Sequence, residues 1–355
     1  MTQAERSFRA PLYVAWEITH KCNARCLHCY SNSGPSASCS EDLSTKEALS
    51  VIDQLAEAGL MVLAFSGGEP ILRKDWPVLV GHAVAKGLSV NVGSNGSSIT
   101  LEVADRLKSL GVKSVTISLD SHKAETHDFF RQCPGLYRKA VRAITLLVER
   151  EIRVVVGFTP TKINYKDGPD VIELAQSLGA DAVNLSEFVP AGRGSVAIAL
   201  TPNELREVLT QWIRLRKLFA GRIDIMWHDC RVGLLAPEEE QRNYLGCGAG
   251  RLLARICPDG SVTPCVFLPT VIGSLKEKPF QSIWNDSLLL GDFRKRTKIS
   301  GNCGDCEHIS TCGGCRAVAY AYSCGDPLAG DPQCWINVEF RPRLQELASG
   351  EGLPI

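Results

Sequence analysis

Between about residues 11 and 220, short apolar runs alternate with longer stretches in which apolar positions recur every third or fourth residue. The runs LYVAWEIT, LMVLAFSGG, LSVNVGSNG, SVTISLDS, IRVVVGFTPT and AVNLSEFVP are rich in Val, Ile, Leu or Phe and end in small or polar residues, which predicts six strands. Between the first two, STKEALSVIDQLAEAGL places Ser44 three residues before Glu47, the spacing of a capping box, and predicts a helix. LEVADRLKSLG, LYRKAVRAITLLVEREI and DVIELAQSLGA carry comparable periodicity, and PNELREVLTQWIRLRKLFAG supplies a last helix. Regular alternation of strand and helix sets helices against a parallel sheet, so the expected class is α/β. Six units predict a partial, TIM-like (β/α)6 barrel.

The pattern changes near residue 225. From Cys247 to Cys334 there are nine cysteines, many glycines and only short regular segments, so packing is thin and metal clusters are expected to staple the fold. The expected organisation is a barrel over 1–220, a bridge over 221–246, a small cysteine-rich domain over 247–340 and a tail over 341–355.

Lys plus Arg total 39 and Asp plus Glu total 39, with no basic run, so nucleic-acid and anionic-membrane partners are not expected. No apolar stretch approaches the roughly 18 residues of a spanning helix. The opening MTQAERSFRAP lacks the apolar core of a signal peptide, and the chain reads as cytoplasmic. In that compartment fifteen cysteines point to metal ligation rather than disulfides.

The segment HKCNARCLHCY places Cys22, Cys26 and Cys29 within eight residues. One reading is zinc held by the three thiolates and His28, although His28 adjoins Cys29 and has to turn back onto the same ion. The other reading places the thiolates on three irons of a [4Fe-4S] cluster and leaves the fourth iron open to another molecule. The loop follows the first strand, and the C-terminal ends of strands are where β/α folds assemble their sites.

Cys22-x3-Cys26-x2-Cys29 followed by Tyr30 resembles the signature of the radical S-adenosylmethionine (SAM) superfamily. The resemblance implies that SAM chelates the open iron and that one electron cleaves it to a 5′-deoxyadenosyl radical. Ser66-Gly67-Gly68-Glu69-Pro70 is similar to the family's glycine-rich turn, which implies contact with the SAM amino group and a complementary charge on Glu69. Ser94-Asn95-Gly96 and Ser118-Leu119-Asp120 resemble ribose- or carboxylate-contacting strand ends. Arg131 stands where relatives carry Arg-Gly and bind the SAM carboxylate; Gln132 departs from that pair. NLSEFVPAGRG resembles the sixth-strand segment beside the adenine and reads equally as an ordinary connecting loop.

Cys303-x2-Cys306-x5-Cys312-x2-Cys315, then Cys334, together with Cys247 and Gly260-x4-Cys265, resembles the SPASM domain of radical SAM enzymes, which carries two auxiliary clusters. That likeness implies an outer cluster on Cys303, Cys306, Cys312 and Cys334 and an inner one on Cys247, Cys265 and Cys315, three [4Fe-4S] clusters in all. For the fourth inner ligand relatives carry a cysteine where Ala254 stands. Cys257 is the substitute expected here, although in an extended strand it faces away from position 254 unless a bulge intervenes. The alternative is an open inner iron. Cys39, Cys133, Cys230 and Cys324 fit no cluster pattern and are expected to be buried thiols, except that WHDC places His228, Asp229 and Cys230 at the junction, where His228 or Asp229 would handle a proton at a substrate pocket.

CGGCRAVAYAYSCGDPLAGDPQCW is most similar to the subgroup that modifies haem-type tetrapyrroles, for example by oxidative loss of a propionate carboxyl. The rivals are maturation of a ribosomally made peptide, for which only 21 residues before Cys22 leave no recognition domain, and work on a nucleoside or aminosugar, including sulfur insertion. The expected partners are a small-molecule or peptide substrate and an electron donor such as flavodoxin or ferredoxin. A non-enzymatic metal-stabilised scaffold is the remaining reading.

Overall fold

A computed structural model describes residues 8–241 and 243–336; the expected tail lies outside the described residues. β1 (Tyr13–Glu17), β2 (Val62–Ser66), β3 (Ser89–Ser94), β4 (Ser114–Ser118), β5 (Arg153–Phe158) and β6 (Ala182–Leu185) fall inside the six expected runs and pair in parallel, each with the next. The connecting helices are α1 (Thr45–Ala58), α2 (Trp76–Ala85), α3 (Leu101–Ser109), α4 (Ala124–Arg131), α5 (Leu136–Val148), α6 (Gly168–Ser177) and α7 (Pro202–Leu218). Ser44 and Glu47 form the reciprocal capping box of α1, and Thr201 and Glu204 do the same for α7. α2 was not among the expected helices, because WPVLVGHAVA is apolar around most of its circumference and shows no stripe.

Two features correct the expected boundaries. α7 is a crossover into a seventh strand, β7 (Asp224–Trp227), which pairs in parallel with β6, so the bridge begins with a piece of the barrel. Its four residues, DIMW, are too short to stand out as an apolar run. On the opposite edge β8 (Leu253–Ile256) pairs in parallel with β1 and turns back antiparallel into β9 (Ser261–Thr263) and β10 (Gly273–Ser274). Among the described residues one ten-stranded sheet therefore runs through both expected domains, in the order β10-β9-β8-β1-β2-β3-β4-β5-β6-β7.

Period-2 alternation divides this sheet. Val14 and Trp16 of β1 and Leu63 and Phe65 of β2 join Val51, Ile52 and Leu55 of α1 in the main core. The other face carries polar groups, among them Glu17, fully buried and paired at 2.7 Å with Arg255 of β8. Among the described residues no helix is long and apolar enough to cross a membrane.

α4 ends on Gln132, which adopts a left-handed φ of 49° and donates its side-chain amide to the Phe129 carbonyl at 2.7 Å. A glycine takes this C-terminal position without Cβ strain. Gln132→Gly is expected to stabilise the protein by about 1 kcal/mol, read as a higher thermal midpoint; a lower midpoint would mean that the amide bond outweighs the strain.

Candidate active site

The cysteine loop leaves β1 and is gripped by backbone from two sides. On one side Gly68 N–H donates to the Thr19 carbonyl at 2.8 Å and Glu69 N–H to the Lys21 carbonyl at 2.9 Å. A Cβ on Gly67, whose φ is 132°, would stand 2.4 Å from the Thr19 carbonyl oxygen, and one on Gly68 2.3 Å from that of Lys21. These glycines are thus required by the approach of the loop itself. On the other side Arg193 donates from its backbone to the Cys29 carbonyl at 2.9 Å and from its side chain to the Cys26 carbonyl at 3.2 Å. Gly192, at φ 59°, has room for no Cβ against the carbonyls of Cys29 and Tyr30.

Each triad sulfur meets a polar neighbour. Cys22 Sγ accepts from Ala24 N–H at 3.5 Å and from Asn95 Nδ2 at 3.7 Å. Cys26 Sγ accepts from Arg131 Nη1 at 3.7 Å, and Cys29 Sγ lies 3.5 Å from Ser31 Oγ. Among the described residues, the trio of possible ligands whose donor atoms all lie within 4.8 Å of one another is His122, Asp167 and Asp170. The triad sulfurs are therefore spread wider than a tetrahedral ion with sulfur bonds of about 2.3 Å would hold them. His28 lies flat on Phe130, ring centroids 4.3 Å apart, and burial depresses its pKa well below the usual imidazole value. A neutral, stacked His28 and three spread thiols fit a cubane with one open iron and do not fit the zinc reading.

The triad opens onto a cavity of about 290 Å³ at the C-terminal ends of the strands. Its wall includes Cys22, Cys26, Cys29, Tyr30, Ser66, Gly67, Gly68, Ser94, Asn95, Ser118, Arg131 and His228, all expected from the sequence. It also includes residues that sequence reasoning did not single out: Thr116, Thr159, Ser186, Glu187 and Arg193 from the barrel, and Val266 and Phe267 just past Cys265. Several lie in the NLSEFVPAGRG segment, whose polar strand end was the available signal. Phe267 meets the Tyr30 ring edge-on at 5.3 Å, so the cysteine-rich region closes the cavity from its side.

Four expected site residues sit behind this wall. Glu69 is fully buried and accepts from Ser94 Oγ at 2.9 and 3.1 Å and from Asn95 N–H at 2.9 Å; burial pushes its pKa up to about 7. It fixes the end of β3 rather than facing the cavity, and Pro70 opens the short turn that follows. Asp120 is fully buried and accepts from Arg131 Nε at 2.6 Å and Thr159 N–H at 3.0 Å, so it orients Arg131 rather than a ligand. Asp229 has both oxygens engaged by Arg231, at 2.9 and 2.8 Å, which removes it as a free proton carrier. Arg231 in turn reaches Glu187 of the barrel and Asp331 of the cysteine-rich region.

In that region Cys303, Cys306, Cys312 and Cys334 line one small hollow, as the outer set requires. Cys247, Cys265 and Cys315 belong to a single packed group. Cys257 is not in it: alternation along the strand leaves it on the side of Arg255, with Glu17 and Asp259 as its other charged neighbours. Cys230 does not reach the cavity wall and packs instead with the inner thiols. Cys39 and Cys324 are exposed rather than buried, while Cys133 packs beside the triad.

A strand-end cavity with a spread thiol triad, joined to a second thiol-rich region, defines a radical SAM enzyme with auxiliary clusters. Residues 16–178 match the Radical SAM superfamily and residues 247–307 the SPASM iron-sulfur cluster-binding domain. The chain belongs to the radical SAM superfamily, in its SPASM-bearing branch, and is an enzyme that binds SAM and iron-sulfur clusters. It is 32% identical to an AdoMet-dependent heme synthase of Methanosarcina barkeri over 92% of this chain and 96% of that protein. It is 34% identical to the mycofactocin maturase MftC of Mycobacterium tuberculosis, covering 94% of this chain and 85% of that one. The solved structure of Streptococcus suis SuiB bound to precursor peptide SuiA shares the fold, with TM-score 0.77 and 16% identity over 93% of this chain and 77% of that one.

Gly68→Ala drives a methyl into the Lys21 carbonyl and against Cys22 Cβ. After anaerobic reconstitution this variant is expected to hold about four fewer iron atoms per chain than wild type. Gly291→Ala, which meets nothing within 4 Å, is expected to keep them all; full iron content in Gly68→Ala would show that the loop tolerates displacement.

Proposed function

We propose that this enzyme removes a hydrogen atom from an unactivated side-chain carbon of a tetrapyrrole and expels a propionate carboxyl. The observation that carries this reading is the position of His228. It lines the triad cavity and also an open groove of about 480 Å³ walled by Ile225, Met226, Trp227, Tyr244 and Arg216 together with Asn184, Glu240 and Asn243. The Arg216 guanidinium lies 4.8 Å from the Trp227 ring centroid, a pairing of flat apolar surface with a cation that suits a planar macrocycle bearing carboxylates. The likeness over nearly the whole chain to a heme synthase supports the same reading.

SAM bound with a [4Fe-4S] cluster on Cys22, Cys26 and Cys29 supplies the 5′-deoxyadenosyl radical. The protein's own part is orientation and shielding. Arg131, held by Asp120, offers its guanidinium to the SAM carboxylate, while Ser94, Asn95 and Ser118 offer polar contacts to the ribose or carboxylate. Tyr30 and the Ser66-Gly67-Gly68 turn bound the methionine end, and Phe267 excludes water from above the triad. His228 lines both hollows, and its imidazole can take or give a proton there.

The propionate then carries an unpaired electron on the carbon next to the ring. Breaking the bond to the carboxyl releases carbon dioxide, forms the vinyl double bond and leaves one electron to be removed. Cys303, Cys306, Cys312 and Cys334, and Cys247, Cys265 and Cys315, would hold two auxiliary clusters, three [4Fe-4S] clusters in total with that of the triad, which would accept that electron, and a flavodoxin or ferredoxin would supply the one that starts the cycle. Peptide maturation is the second reading, supported by β7 lying at the edge of the sheet beside the groove and by the likeness to a peptide maturase.

With dithionite, SAM and an iron porphyrin deuterated at its propionate methylenes, deuterium is expected in 5′-deoxyadenosine, together with a vinyl product. If porphyrin leaves 5′-deoxyadenosine formation unchanged while a short peptide accelerates it, the second reading replaces the first. Trp227→Ala is expected to weaken porphyrin binding about tenfold, roughly 1.4 kcal/mol, without lowering 5′-deoxyadenosine formation in the absence of porphyrin; unaltered binding would remove the groove from the account.

A further inference from the structure

The two auxiliary thiol sets differ in completeness. The outer hollow has four cysteines on its wall, Cys303, Cys306, Cys312 and Cys334, one for each iron of a cubane. The inner set from the SPASM pattern has three, Cys247, Cys265 and Cys315. Cys257 is not in that group, and its charged neighbours are Arg255, Glu17 and Asp259.

Cys230 does join them. It packs in the same group as Cys247, Cys265 and Cys315, and its thiol is hydrogen-bonded to that of Cys247. It also reaches Cys312, but the wall of the outer hollow passes through Arg231 and does not include Cys230. Its place is fixed from both sides. Asp229 accepts the Arg231 N–H at 2.8 Å and so sets the turn that Cys230 opens. Arg231 pairs with Asp331 at 3.4 Å, and Asp331 accepts the Cys315 N–H at 2.8 Å. One guanidinium thus positions the backbone around Cys230 and Cys315 together.

We propose that Cys230 is the fourth thiolate of the inner auxiliary cluster, with Cys247, Cys265 and Cys315. This rests on the reading that those three hold such a cluster. Every iron of the inner cluster then has a protein ligand, so it carries electrons and neither binds substrate nor donates sulfur. Cys230 also lies two residues from His228, which gives the substrate groove a short covalent link to that cluster.

The test uses the full chain carrying C22A, C26A and C29A, so that only auxiliary clusters remain, reconstituted without oxygen. About eight iron atoms per chain are expected. Adding Cys230→Ser should lower iron by about one atom and convert one four-iron EPR signal to a three-iron signal, while adding Cys257→Ser changes neither. The reverse pattern, or no change with Cys230→Ser, overturns the assignment. About four irons in the starting variant would instead remove the inner cluster itself, a separate failure. An iron-edge anomalous map of the loaded wild-type protein needs no variant: iron bonded to Cys230 Sγ supports the proposal, and a non-protein ligand or Cys257 in that place overturns it.

Discussion

The architecture depends on a steric constraint at the exit of β1. The cysteine loop is wedged between two backbone segments that approach within distances no side chain survives: Gly67-Gly68 after β2 and Gly192-Arg193 after β6. Hydrogen bonds from both segments end on carbonyls of Thr19, Lys21, Cys26 and Cys29. A short loop with three thiols would otherwise be free to collapse on a single ion. Held from both sides, it keeps its sulfurs apart, and a spread triad is what a four-iron cluster with one unclaimed iron needs. Three glycines therefore permit the close approach that holds the cysteine loop in place.

Buried charge does the positioning around this loop. Glu17 with Arg255, Asp120 with Arg131, and Arg231 with Glu187, Asp229 and Asp331 are each withdrawn from water. Pairs of this kind add little net stability, because desolvation offsets the attraction, yet removing one partner leaves an uncompensated charge. Their value here is geometric. The first ties β1 to β8, the second aims a guanidinium at Cys26, and the third binds barrel to cluster region next to the inner thiols. The continuous sheet, with β8 hydrogen-bonded to β1, makes the cluster region one wall of the cavity rather than an appendage.

The barrel was largely legible because its strands are apolar runs and most of its helices carry a stripe, and both periods survive in the raw sequence. α2 was hidden by being apolar all round and β7 by being four residues long. The triad cysteines stand close together in sequence, and Cys303, Cys306, Cys312 and Cys334, which the SPASM likeness groups, line one hollow. In the sequence Glu69 and Asp120 look ligand-facing, because a polar residue at a strand end looks the same whether it points into a cavity or behind its wall. Only the fold distinguishes the two, and Asp229 at the junction shows no sign in the sequence of its pairing with Arg231. Glu187, Arg193 and Cys230 owe their places to contacts between segments far apart in the chain, and no local pattern encodes those.

The central claim is that the triad holds a cluster whose unclaimed iron takes SAM directly. Mössbauer spectra of the anaerobic, iron-loaded protein with and without SAM test it most directly. The account predicts that SAM shifts one iron of one cubane, and that the combined C22A, C26A and C29A variant shows no such shift and makes no 5′-deoxyadenosine. A SAM-induced shift that persists in that variant, or a wild-type spectrum that SAM leaves unaltered, would contradict it.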